Sequence, residues 1–320
     1  MKDFENARWE WVTLLLIIAC YVIWLISTAS YQYMVTSFGT ISAGLMLFLV
    51  TAIVTAFHTS IQHEVVHGHP TPYSLLNEAL IFPSLILVYP FRRYRDLHLT
   101  HHIDENLTDP YDDPESYFWP MCDVNKMGRV MKILLAANNT FTGRMILGPP
   151  LGLLGFYRTE IHRLIGNERG VRKAWILHII GCTGVLIWLT QICGIPFWLY
   201  VLLVSYPAVA WILIRSFAEH QSSDTIGGRT AIVEANSFFG LLFLNNNLHI
   251  VHHAHPGVAW YNLPRLYRQR KEQYLNANGH YLFKGYWQVI RQFAFRKKQP
   301  VFHPILRQES VDETTELPVT

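Results

Sequence analysis

Two long stretches of the chain, residues 11–63 and 174–214, carry no Asp, Glu, Lys or Arg. A helix needs about 20 apolar residues to cross the hydrocarbon core of a bilayer, so each stretch has room for two crossings. The pattern predicts helices over 13–34 and 38–58 with a short turn at 35–37. It predicts a second pair over 175–192 and 197–214, turned at 193–196, where Gly194 and Pro196 interrupt the helix. Residues 75–90 are apolar but short and contain Glu78 and Pro83, which predicts a re-entrant or interfacial segment. Residues 231–244 carry one acid and predict an interfacial helix. Residues 121–171 read as amphipathic or irregular, with a Gly- and Pro-rich patch at 148–155. The polar, acidic tail 310–320 reads as disordered. The expected fold is an all-α integral membrane protein: one domain over 1–309, with four transmembrane helices in two hairpins and a histidine-rich cytoplasmic cap.

Composition supports the membrane reading, with 51% hydrophobic and only 15% charged residues against a usual charged share of about 25%. All 26 Lys and Arg lie outside the two uncharged stretches. The excess of positive charge on cytoplasmic loops then puts both termini and both long loops in the cytoplasm. The basic clusters at 92–95 and 265–271 suit lipid headgroups and match no nucleic-acid-reading motif, so nucleic acid is set aside as a partner. Four cysteines form no C-x-x-C pair and read as small buried hydrophobes.

Chemistry enters with the histidines. His98, His101 and His102 read H-x-x-H-H, and His249, His252 and His253 repeat the pattern; His63 and His67 form an earlier H-x-x-x-H. On a helix, positions i, i+3 and i+4 share one face, so each group aims its imidazoles at one point. Neutral imidazole is the commonest protein ligand for transition metals. Eight are too many for one zinc ion and match two irons in number, although imidazole alone does not name the metal. All three groups follow or flank apolar segments and fall on the cytoplasmic side. His220, just past a predicted span, adds a ninth candidate. Glu64, Asp96 and Asn245 are candidates to orient imidazoles from behind. A membrane transporter would place its ligands near the bilayer midplane, with acids in the spans; these spans contain none.

The three groups, in this order and with these spacings, resemble the membrane-bound fatty acid desaturase superfamily, which includes desaturases, alkane and carotenoid hydroxylases, and ketolases. The stretch from His101-His102 through Asp109-Pro110 to Asp113-Pro114-Glu115 resembles the family's sequence after its second histidine group. The likeness covers about residues 40–260. It implies four transmembrane helices under a cytosolic cap and a non-haem diiron centre held by the histidines, with His220 as the further ligand that family members carry between the second and third groups. It also implies O2 as co-substrate and an alkene or alcohol as product. The chain has no flavin, haem or iron–sulfur motif, so electrons would come from a separate ferredoxin-, rubredoxin- or cytochrome-type carrier at the cytoplasmic face. The turn-rich sequence after the second group resembles bacterial fatty acid desaturases, which favours desaturation of a lipid or acyl chain. Hydroxylation of a hydrocarbon or lipid, or oxidation of a small metabolite, is the alternative.

Overall fold

The computed structural model describes residues 9–307, so the tail at 310–320 lies outside the described residues. Helix α1 (Trp11–Ala29) runs into α2 (Tyr31–Val66) with Ser30 still in helical backbone geometry. The chain leaves the helix at Gly39, at φ 84° and ψ 166°, and not at the expected turn at 35–37. A positive φ is strained for any residue with a Cβ, so the helix persists until the first glycine can reverse it. The two passes then lie antiparallel. Thr51 donates to the Ser27 hydroxyl at 3.0 Å, and the Tyr21 hydroxyl meets His58 Nε2 at 3.1 Å.

Between the first and second pairs of long helices lie α3 (Ser74–Leu80), α4 (Phe91–His101), α5 (Met121–Lys126), α6 (Arg129–Asn138) and α7 (Phe141–Ile165). After α3 the chain is not helical until α4. Ile81, Leu85 and Ile86 in this segment are fully buried, and its carbonyls receive bonds from the long helices. Leu85 O accepts from the Tyr200 hydroxyl at 2.9 Å, and Leu87 O lies 3.0 Å from His178 Nε2. Of the two readings of 121–171, amphipathic or irregular, the patch at 148–155 takes the helical one: it lies inside α7, which passes through Pro149 and Pro150 without ending. Packing accounts for this: a Cβ on Gly148 would stand 2.6 Å from Leu213 Cδ1, so the small residues allow α7 close to the helix that carries Leu213.

That helix is α9 (Phe197–Glu219), which follows α8 (Val171–Ile192). Thus α1, α2, α8 and α9 are each long and apolar enough to cross a membrane. Polar pins join them: Trp24 Nε1 donates to the Tyr200 hydroxyl at 2.9 Å, and Trp188 Nε1 to Thr28 at 3.0 Å. Their outer faces expose Leu15, Ile18, Ile26, Ile41, Ile179 and Leu202, as lipid contact requires and water disfavours. Tyr200→Phe removes the acceptor of Trp24 and the donor to Leu85. It is expected to lower stability by about 0.6–2 kcal/mol, read as a lower unfolding temperature in detergent; an unchanged temperature would show that these pins are idle.

The remainder forms a cover of α10 (Ser237–Leu242), α11 (His249–Ala254), α12 (Leu263–Gln269), α13 (Lys271–Ala277) and α14 (Tyr286–Phe293). The single helix expected over 231–244 is instead a short strand followed by a short helix. The β-branched pair Ile232–Val233 forms strand β1, parallel to β2 (Leu282–Phe283), and Asn236 then caps α10 by accepting from Phe239 N. Phe217, Ala218, Phe243, Tyr286 and Val289 form the buried seam between α9 and this cover.

Candidate metal centre

The histidines sit where helices end. His63 lies in the last turn of α2 and His67 caps it. His98 and His101 close α4 with His102 as its cap, His220 caps α9, and α11 begins at His249 and carries His252 and His253. These ends meet in two sets: His63, His67, His98, His102 and His252 in one, and His101, His220, His249 and His253 in the other. Within each set one ligand atom per ring lies within 4.8 Å of all the others. Helices α4 and α11 each feed both sets, because neighbours in H-x-x-H-H point to slightly different sides of a helix.

The spacing of the nitrogens is that of ligands around an ion. In the first set the Nε2 atoms of His67 and His98 are 3.2 Å apart, those of His98 and His102 3.1 Å, and those of His102 and His252 3.1 Å. In the second set the corresponding distances are 3.0 Å for His101 and His220, 2.9 Å for His220 and His249, and 3.1 Å for His249 and His253. With metal–nitrogen bonds of about 2.1 Å, ligands at right angles stand about 3.0 Å apart and tetrahedral ones about 3.4 Å. Neighbouring rings in both sets thus stand at distances that ligands of one ion can take.

Proton bookkeeping leads to the same conclusion. His98 Nδ1 donates to Glu115 at 2.7 Å, His101 Nδ1 to Asp113 at 2.8 Å and His253 Nδ1 to Asp104 at 3.1 Å. His220 Nδ1 donates to the Arg229 carbonyl at 3.2 Å, and His249 Nδ1 to Asn246 Oδ1 at 3.1 Å. A neutral ring has one N–H, so these five rings present bare Nε2 lone pairs inward. In the second set His220, His249 and His253 do so, with neighbouring Nε2 atoms about 3 Å apart, and His101 joins them once its ring is neutral. Such lone pairs repel one another unless a cation lies between them, and a partner at Nδ1 is how proteins orient metal-binding imidazoles.

The electrostatics agree for most rings. Burial first, and neighbouring imidazoles second, push His67, His102, His249 and His252 below the ordinary histidine range. Burial likewise brings His253 down to about 4, against the pull of Asp104. His101 differs. Burial disfavours its charge too, but Glu115, the Asp113 bond and Glu219 prevail and raise it to about 9. Binding an ion there displaces a proton.

The three residues expected to orient the imidazoles lie elsewhere. Asp96 pairs with Arg93 and Arg95. Glu64 accepts the Trp260 N–H at 2.8 Å and faces His69. Asn245 donates to the Trp260 carbonyl. Leu244 and Asn245 both have positive φ, 48° and 55°, and this twist turns Asn246 toward the site. Asn246 touches one ring of each set, its Nδ2 lying 3.2 Å from His63 Nε2. Asp104, Asp113 and Glu115 were visible only as an acidic turn after the second histidine group; nothing in their spacing shows which ring each meets.

A cavity of about 260 Å³ adjoins the first set. His63 and Glu115 form part of its wall, and Leu97, Leu153, Phe156 and Leu213 are among its apolar residues. Apolar helices thus end in converging imidazoles beside a largely apolar cavity. The chain belongs to the fatty acid desaturase family, whose model matches residues 39–285. The protein is thus an oxidoreductase of a family with oxygen-dependent desaturase- or hydroxylase-type chemistry, known for its use of iron. No individually curated protein matches the chain.

Proposed function

We propose that the protein holds two iron ions and desaturates an acyl chain. His63, His67, His98, His102 and His252 hold one ion; His101, His220, His249 and His253 hold the other. The observation that carries this is the convergence of nine imidazoles in two sets, the first of them beside a largely apolar cavity. Iron supplies, with O2 and electrons, an oxidant strong enough to take hydrogen from an unactivated C–H bond. The chain's own residues orient the ligands through Asp104, Asp113, Glu115 and Asn246. Leu97, Leu153, Phe156 and Leu213 line an apolar slot that seats a hydrocarbon beside His63. The two apolar helix pairs act as hairpins in the bilayer, with termini, histidines and cover on the cytoplasmic face. A separate ferredoxin-, rubredoxin- or cytochrome-type donor delivers electrons there. Desaturation is favoured by the turn-rich sequence after the second histidine group.

Metal analysis of the purified full chain tests the reading. About two irons per chain are expected, with loss on His98→Ala or His253→Ala, together with new alkenes in the lipids of cells expressing the protein. One zinc, or no metal after growth with ample iron, would overturn the diiron reading; alcohols in place of alkenes would replace desaturation by hydroxylation.

A further inference from the structure

A second cavity of about 500 Å³ adjoins the apolar one and shares with it Leu97, Glu115, Gly148, Gly152, Phe156 and Leu213 among its walls. Its character is different, since Asp113, Glu115, Glu160, Arg144 and Arg163 all line it. The three acids are committed. Asp113 accepts from His101, Thr108 N and Glu115 N; Glu115 accepts from His98; and Glu160 holds Arg93 in a fork of bonds at 2.8–3.1 Å and accepts from Trp175. Arg163 pairs with Glu168 and is half-exposed.

Arg144 is the exception. It is 6% exposed. Its Nε donates to Asn138 O at 3.0 Å and its Nη2 to Asn139 Oδ1 at 3.3 Å, and it stacks over Tyr117 and Phe217. Among the described residues no carboxylate forms an ion pair with it. Burial lowers it only to about 10, so it is charged at neutral pH. A buried guanidinium without a counter-ion is strongly unfavourable, and guanidinium is the side chain best matched to carboxylate and phosphate. Gly152, an exposed position on α7, lines both cavities, and a Cβ there would meet nothing within 4 Å.

We infer that the two cavities form one site for an anionic amphiphile, with a carboxylate or phosphate head against Arg144 and a hydrocarbon tail running past Gly152 to His63. This rests on the proposed function for its choice of tail and adds the head.

The test uses full-length protein in detergent, immobilised, with radiolabelled palmitate, hexadecyl phosphate and hexadecanol as probes. At least one anionic probe is expected to bind at least about tenfold tighter than the alcohol, the usual scale of a charge-assisted pair. That advantage should vanish in Arg144→Gln and survive in part in Arg144→Lys, and which anion shows it separates the carboxylate source from the phosphate source. Equal affinity for all three probes, or an advantage that persists in Arg144→Gln, overturns the inference. If Arg144→Gln does not fold, Gly152→Trp decides: both hexadecyl anions should weaken at least about tenfold, and unchanged affinity overturns the joined site. Iron content is read in parallel. Anion-selective binding without iron sinks the diiron reading alone, whereas two irons and oxidation without anion selectivity sink this inference alone.

Discussion

His101→Ala is expected to abolish product formation, a loss of more than about 100-fold, and to lower bound iron from about two to one or fewer per chain. His101 Nε2 stands 3.0 Å from His220 Nε2, and its Nδ1 donates to Asp113. Removing it takes one of four imidazoles from the second set and leaves the Asp113 carboxylate, with 1% side-chain exposure, without its ring partner. A buried acid stripped of its partner costs several kcal/mol, so the end of α4 loosens as well. His98 and His102 sit on that same helix end and serve the first set, so the damage spreads beyond one ion. Iron per chain and product per unit of membrane protein, measured against wild type at matched expression, check the prediction. Product at the wild-type level would exclude His101 from the centre.

Asp113→Asn is expected to speed iron loss to a chelator by about 10–100-fold, together with a fall in stability of about 1–3 kcal/mol. The carboxylate is a three-way acceptor: Oδ1 takes His101 Nδ1 at 2.8 Å and Glu115 N at 2.9 Å, and Oδ2 takes Thr108 N at 2.8 Å. An amide keeps one acceptor and puts an N–H against another donor. The acidic turn then relaxes, and with it Glu115, which orients His98. Chelator kinetics and thermal unfolding read the two effects separately. An unchanged rate of iron loss would show that Asp113 shapes the turn without governing the ligand.

The long uncharged stretches and the helical spacing of eight histidines were legible because hydrophobicity and periodicity are local properties of a sequence. His220 required more, since a lone histidine after a span has no spacing to mark it; its place rests on α9 delivering it 2.9 Å from His249. The partners of the rings were not legible. Asp96 and Glu64 are close to histidines in the chain but point to Arg93 and Trp260, whereas Asp104 crosses to His253 only when α4 and α11 meet. The reversal at Gly39 and the replacement of the 231–244 helix by β1 and α10 were missed for related reasons. Apolar composition does not distinguish a helix that continues from one that turns, and β1 exists only because residues 282–283 lie beside it.

The sharing of α4 and α11 between the two sets of rings bears on how this centre can be altered. His98 and His102 belong to one set and His101 to the other, while His252 and His249 divide in the same way. Any small rotation of either helix therefore shifts both sets of rings at once, and the His102 and His253 rings, stacked at 4.3 Å across the divide, transmit what remains. Energetic effects of substitutions in the two sets are then not additive. Stepwise engineering toward a one-ion protein meets this epistasis from its first substitution, because neither half of the centre has a helix end of its own to vary at α4 or α11.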